Sequence, residues 1–176
     1  MPELAVILAT YNEADNLGQL VEALESLEID LQLVVVDDNS PDGTGLIAQQ
    51  LSTRFGNITV VNRPGKLGLG SALQSGIAAA LNTGAQYIIS MDADHSHDPA
   101  DVPRLLAAIK TGSADMVQGS RYAPGGGVEG WNIKRRLLSR TANLVYHWGA
   151  GTPLECTTNF RVFSRRAASA VLSRAK

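Results

Sequence analysis

The triplet Asp92-Ala93-Asp94 follows a largely apolar run, Ile88-Ile89-Ser90-Met91. Two carboxylates at i and i+2 of an extended chain point the same way and can hold one hard divalent cation, Mg2+ or Mn2+. Such a cation keeps positions for water and for phosphate oxygens. Two further apolar runs end in polar groups. Leu4–Ala9 ends in Thr10-Tyr11-Asn12-Glu13, and Leu31–Val36 ends in Asp37-Asp38-Asn39-Ser40, followed by Pro41-Asp42-Gly43. Three run ends carrying polar side chains are more than a fold requires. His95 and His97 adjoin the acids, but a metallohydrolase needs a fuller ligand set and His147 is the only other histidine. Both are assigned to the loop or to the support of the acids. Gly68-Leu69-Gly70 begins like a dinucleotide fingerprint, yet Leu73 stands where the third glycine belongs. No Gly-x4-Gly-Lys-Ser/Thr phosphate loop occurs, which excludes a standard P-loop kinase or ATPase.

The elements that must position these groups follow from periodicity. Short β-branched runs at Leu4–Ala9, Leu31–Val36, Ile58–Val61, Tyr87–Met91 and Met116–Gln118 alternate with segments of helical spacing. Leu17, Leu20, Val21, Leu24 and Leu27 mark the first helix, with Asn12 available as its cap; Ile47 and Leu51 mark the second. Leu69, Leu73, Ile77, Ala80 and Leu81 mark the third, and Val102, Leu105, Leu106 and Ile109 the fourth. This alternation predicts an α/β domain with a mostly parallel central sheet flanked by helices. Ligands then bind outside the carboxyl ends of the strands, where the acids are. After Gln118 come a Gly-rich stretch over Ala123–Gly130, a basic amphipathic segment from Trp131 to Trp148, a short Phe160–Phe163 run and a terminal helix.

Composition narrows the function further. The 176 residues are 44% apolar and 18% charged with a net charge of −2, which suits one domain over residues 1–176 and argues against a nucleic-acid binder. The charge is unevenly spread. Residues 1–100 hold three bases against 13 acids, and residues 101–176 hold 12 bases against four acids. Ordinary solvated surface is one reading. The other is an acidic centre holding a cation beside a basic flank that receives phosphates or an anionic membrane. Arg121 follows the fifth run in Gly119-Ser120-Arg121-Tyr122, and Lys134, Arg135, Arg136 and Arg140 follow near Trp131 and Trp148. An arginine fork suits phosphate, and a basic stretch with tryptophans suits a headgroup surface. For Lys134 and Arg135 a solvated helix face fits equally. One cysteine, Cys156, excludes an internal disulfide and fits a reducing compartment. No apolar run approaches the ~20 residues of a membrane-spanning helix, and the N-terminus has no basic-then-apolar signal.

Taken together and in order, several motifs carry a resemblance. They are Thr10-Tyr11-Asn12-Glu13, Val36-Asp37-Asp38-Asn39-Ser40-Pro41-Asp42-Gly43-Thr44, Lys66-Leu67-Gly68-Leu69-Gly70, Met91-Asp92-Ala93-Asp94 and Gly119-Ser120-Arg121-Tyr122. Gly126-Gly127-Val128-Glu129-Gly130-Trp131, Ser139-Arg140 and Phe160-Arg161-Val162-Phe163 complete the set. The chain resembles the polyprenol/dolichol-phosphate mannosyltransferases, inverting family 2 glycosyltransferases of GT-A fold. The resemblance implies transfer of a hexose, mannose from GDP-mannose first, onto a polyprenyl phosphate. A polyprenyl-phosphate glucosyltransferase and a catalytically weak nucleotide-sugar-binding subunit are the alternatives.

By position, the resemblance places Ala9, Tyr11 and Glu13 at the donor's base, with Val36 and Asp38 on the other wall. Asp92, Ala93 and Asp94 match the metal and diphosphate site, and Ser96 a position that can add a metal ligand. Arg121 matches the arginine that grips phosphate and Arg140 a second basic contact, so Asp94, Arg121 and Arg140 are the expected catalytic set. Residues 1–120 then form the nucleotide-sugar part, and residues 121–176 a basic part facing acceptor and membrane. The implied location is the cytoplasmic face of a membrane, held peripherally, with a membrane-anchoring partner subunit as an option. The chain departs from the family pattern at Ala9, where proline is usual, and at Glu155-Cys156-Thr157-Thr158-Asn159, where Asp-Leu-Thr-Gly-Ser is usual. It stops at Lys176, where relatives continue, so lowered turnover with intact nucleotide binding is expected. A signalling receiver domain also pairs aspartates at a strand end, but it needs a lysine after the last strand, where Arg121 stands.

Overall fold

A computed structural model describes residues 1–120, 141, 148–149 and 158–174. Six strands form one sheet: β1 (Leu4–Thr10), β2 (Leu31–Asp37), β3 (Ile58–Asn62), β4 (Tyr87–Asp92), β5 (Met116–Gln118) and β6 (Arg161–Ser164). The α-helices bounded within the described residues are α1 (Ala14–Glu25), α2 (Thr44–Phe55), α3 (Leu69–Asn82), α4 (Val102–Lys110) and α5 (Arg165–Arg174). The sheet order is β3-β2-β1-β4-β6-β5.

The alternation of strands and helices gives the parallel pairs β1/β2, β1/β4 and β2/β3. β6 departs from that pattern. It enters between β4 and β5 and runs antiparallel to both. An antiparallel neighbour does not require the βα crossover that joins parallel strands.

β1 and β2 read as near-continuous apolar runs because both of their faces are covered. On one face Leu4, Val6 and Leu8 meet Leu17, Leu20, Val21 and Leu24 of α1 and Leu105, Leu106 and Ile109 of α4. On the other, Ala5, Ile7, Val34 and Val36 meet Ala72, Ile77 and Ala80 of α3 and Ala168 of α5. Each fully buried Leu, Ile or Val contributes about 1.5–3 kcal/mol of transfer free energy. α3 lies close to the sheet because position 76 is glycine: a Cβ there would stand 2.4 Å from Ile7 Cγ2.

The chain leaves β1 toward β2 and β3 on one side and reaches β4 on the other, so the strand order reverses between β1 and β4. That reversal opens a crevice at the strand carboxyl ends. The register makes those ends level, with Thr10 opposite Asp37 and Ala9 opposite both Val36 and Asp92.

Candidate functional site

Of the loops that leave the carboxyl edge of the sheet, three contain one non-glycine residue each in the left-handed region: Asn12 (φ 61°), Asn39 (φ 58°) and His95 (φ 58°). Such backbone is costly and persists where neighbouring contacts hold it. The contacts are visible. Asp37, buried at the end of β2, accepts hydrogen bonds from Thr10 Oγ1 (3.1 Å), Ser40 N (3.0 Å) and Ser40 Oγ (2.5 Å). Ser40 Oγ in turn accepts from Asn12 N at 3.1 Å. Asp37 therefore clasps the first two loops together.

The start of α1 is held from outside. Asn12 does not cap it; Glu13 occupies the cap position and makes no side-chain cap bond. The open amides go instead to the next loop, Glu13 N to Thr44 Oγ1 (2.9 Å) and Ala14 N to Asp42 Oδ2 (3.0 Å). Asp42 also accepts from Thr44 N and Oγ1. The Thr44 hydroxyl bond, with those backbone amides, holds the Asp42 carboxyl below its ordinary value.

Asp38 is 5% exposed and Arg63 8% exposed, and the two form a buried ion pair. Arg63 Nη2 also donates to Ser71 Oγ, and Asp38 Oδ2 accepts from Leu67 N at 3.2 Å. This network ties β2 to the Lys66–Gly70 loop and the first turn of α3. Above it, the exposed Lys66 sets its ammonium 4.0 Å from the centre of the Tyr11 ring. A ring held face-on beside a buried acid is a platform for a flat base.

At the end of β4, Asp92 is half-buried and Asp94 exposed, with Ala93 turned into the core. Asp92 Oδ1 accepts from Asn159 Nδ2 at 3.1 Å, and Asp94 Oδ1 accepts from Ser96 N at 3.0 Å. Partial burial works to raise the Asp94 pKa, but the hydrogen bonds from the Ser96 hydroxyl and amide outweigh it, and the carboxyl lies below its usual value. His97 is buried, and its Nδ1 accepts from Asp92 N at 3.2 Å. Nε2 must then carry the proton, and it lies 3.2 Å from Thr158 Oγ1. The ring stacks on Phe160 at 5.0 Å. Both ring nitrogens are engaged, so His97 supports the acids and does not ligate.

Tyr11, Glu13, Asp38, Asp92, Asp94 and Ser96 all lie on the loops or strand ends at this one edge, as the sequence predicts. Several are engaged within the chain itself. Val36 is fully buried beneath the site. Both Asp38 oxygens are engaged by Arg63 and Leu67, and Glu13 Oε2 accepts from Asn16 at 2.7 Å. Arg121 and Arg140, with Lys134, Arg135, Arg136 and Trp131, lie outside the described residues. Arg63, Thr158 and Asn159 were not legible as site residues. Arg63 carries no motif of its own, and Thr158-Asn159 lies 67 positions from Asp92 in sequence. Its one signal is that it stands where the family pattern has Gly-Ser.

Among the described residues no three His, Cys, Asp or Glu side chains form a ready metal cluster. Two carboxylates with one oxygen each engaged by the chain suit a cation that takes its remaining ligands from water and a bound diphosphate.

Comparison with known proteins agrees with this geometry. The chain is 40% identical over 162 residues to a polyprenol monophosphomannose synthase of Mycolicibacterium smegmatis, covering 91% of this chain and 61% of that protein. It is 41% identical over 145 residues to a dolichol-phosphate mannosyltransferase of Pyrococcus furiosus, covering 81% of this chain and 40% of that one. The chain thus spans roughly half the length of these relatives. In fold it is similar to glucosyl-3-phosphoglycerate synthase from Mycobacterium tuberculosis, solved with Mn2+ and UDP. That match has a TM-score of 0.67 at 19% identity and covers 94% of this chain and 57% of the other. The sequence profile of glycosyl transferase family 2 matches residues 5–172. With a GT-A-like sheet, paired aspartates at its switch point and this profile match, the chain belongs to glycosyl transferase family 2.

Proposed function

We propose that this chain moves a hexose, mannose from GDP-mannose, onto a polyprenyl phosphate with inversion at the sugar carbon. The observation that carries the reading is the placing of Asp92 and Asp94 at the end of β4, level with the Tyr11 loop at the end of β1. About 40% identity to proteins named for mannosyl transfer to polyprenol or dolichol phosphate supports the substrate class.

Asp92 and Asp94 would hold the Mg2+ or Mn2+ ion, with Ser96 as a further oxygen beside them. When bound, the cation neutralises charge on the departing nucleotide diphosphate. Tyr11 and the loop fixed by Asp38 and Arg63 orient the base, which puts the diphosphate over the acids. Arg121 and Arg140 are proposed to hold the incoming phosphate in line. That phosphate is already ionised at neutral pH, so attack on the sugar carbon needs little help from a general base. The Asp94 carboxyl, held below its usual value, stays charged throughout.

The acceptor lipid resides in a bilayer. No helix among the described residues is long and apolar enough to cross one. We assign membrane contact to the basic segment around Lys134–Arg140, flanked by Trp131 and by Trp148, which is 81% exposed. The expected place is the cytoplasmic surface of the membrane, with or without an anchoring subunit.

Calorimetry with GDP, UDP and their hexose conjugates, with and without Mn2+, tests the donor. Incubation of GDP-mannose with a polyprenyl phosphate tests transfer. Metal-dependent GDP binding, lost in Asp94→Asn, and a mannosylated lipid product are expected. GDP affinity indifferent to metal, in a folded protein, would overturn the reading. Binding without lipid product would favour the silent subunit.

A further inference from the structure

We infer that Asn159 is a positioning residue that leaves Asp92 one oxygen for a cation, and so favours a small octahedral ion over calcium. The inference rests on the metal-site reading above.

Asn159 Nδ2 donates to Asp92 Oδ1 at 3.1 Å. The backbone that carries this amide is held in place. Ser90 Oγ donates to the Asn159 backbone carbonyl at 2.7 Å in a buried bond, and Ser90 sits two residues before Asp92 on the same strand. On either side of Asn159, Thr158 meets the His97 ring by hydrogen bond and Phe160 meets it by stacking. His97 closes the circuit by accepting the Asp92 N–H. The entry to β6 is therefore fastened to the end of β4 by four contacts, and it cannot slide without leaving buried polar groups unpaired.

The consequence for Asp92 is asymmetric. Oδ1 is engaged by the amide. Oδ2 lies 3.8 Å from His97 Nδ1, beyond hydrogen-bond reach, and that nitrogen meets the Asp92 N–H instead. One oxygen remains available. Asp94 is engaged as well, its Oδ1 by the Ser96 amide and its carboxylate also by the Ser96 hydroxyl. Mg2+ takes six ligands at about 2.0–2.1 Å, commonly one or two carboxylates with waters and phosphate oxygens. Ca2+ takes six to eight at about 2.3–2.6 Å and readily uses both oxygens of a carboxylate. An Asp92 that offers a single oxygen matches the first cation and disadvantages the second.

The experiment measures GDP affinity by calorimetry in Mn2+, Mg2+ and Ca2+ for the whole chain and for Asn159→Ala, with thermal midpoints recorded alongside. Asn159→Leu keeps the volume without the amide and serves if the alanine variant does not fold. Wild type should bind GDP at least about tenfold more tightly with Mn2+ or Mg2+ than with Ca2+. Removing the amide should weaken the Mn2+ complex by about 10- to 100-fold, the range for losing a group that orients a metal ligand. The Ca2+ complex should lose less, so the preference contracts. An unchanged metal preference in a folded Asn159 variant overturns the inference and leaves the metal site standing. GDP affinity independent of metal in wild type overturns both.

Discussion

Replacing Arg63 by methionine keeps most of the side-chain volume and removes the charge opposite Asp38. Both side chains are 7% exposed, so neither charge has water to fall back on. In the variant the Asp38 carboxylate would retain the Leu67 amide at 3.2 Å and lose its ion pair. Removing one partner of a buried pair costs about 3–5 kcal/mol, against about 0–1 kcal/mol for an exposed pair. A domain of this size has about 5–15 kcal/mol in all, so the loss is a large share. At about 2–4 °C per kcal/mol it lowers the thermal midpoint by about 6–20 °C. Asp38→Leu alone strands the guanidinium with only the Ser71 hydroxyl and should cost a similar amount. The double variant buries no charge, so much of the loss should be recovered. A urea-denaturation double-mutant cycle reads this directly, through a coupling energy of several kcal/mol. If Arg63→Met costs under about 1 kcal/mol, or the double variant shows the sum of the single losses, the pair does not fasten the loop and the argument fails.

Three further outcomes follow from the same structure. Gly76→Ala gains about 1 kcal/mol of helix propensity but drives a methyl to 2.4 Å from Ile7 Cγ2. Overpacking of that kind costs up to about 3 kcal/mol, so denaturant titration should show a net loss near 2 kcal/mol, and a stabilised variant would contradict the close approach of α3. The Asp94 carboxyl lies below its unfolded value of 3.8, so its contribution to stability is full above that pH and is lost as pH falls through the lower folded value. A carboxyl titration of the protein followed by NMR should accordingly place the Asp94 midpoint below 3.8, and a midpoint above that value would refute the lowered pKa. Flotation with anionic vesicles should fall as salt rises, because each base near the surface contributes about 1 kcal/mol that salt screens; salt-insensitive binding would remove the electrostatic argument for the Lys134–Arg140 segment.

The sequence by itself determined the strands, the helices and the edge at which the chemistry sits. Leu17, Leu20, Val21 and Leu24 repeat at helical spacing because one face of α1 is buried, and β1 and β2 are continuously apolar because two faces are covered. The aspartates at the ends of β2 and β4 could be placed because a parallel sheet delivers its strand ends to one side. Local pattern carries such facts because each depends on residues a few positions apart.

What holds the site together depends on residues far apart, and tertiary structure alone decided it. Sequence placed Asp38 at the end of an apolar run; packing buried it against Arg63, 25 positions on, and the pair fastens a loop. Asn12 stood where a cap belongs, but Thr44 and Asp42, 28 to 31 positions away, took the open amides of α1. The Phe160–Phe163 run could be seen as a strand but not as an antiparallel one beside β4, since direction is set by the path of the intervening chain. That placement brought Asn159 to Asp92 and Thr158 to His97. A hydrogen bond across 67 residues leaves no period in a sequence, because it is fixed by where two strands end in space.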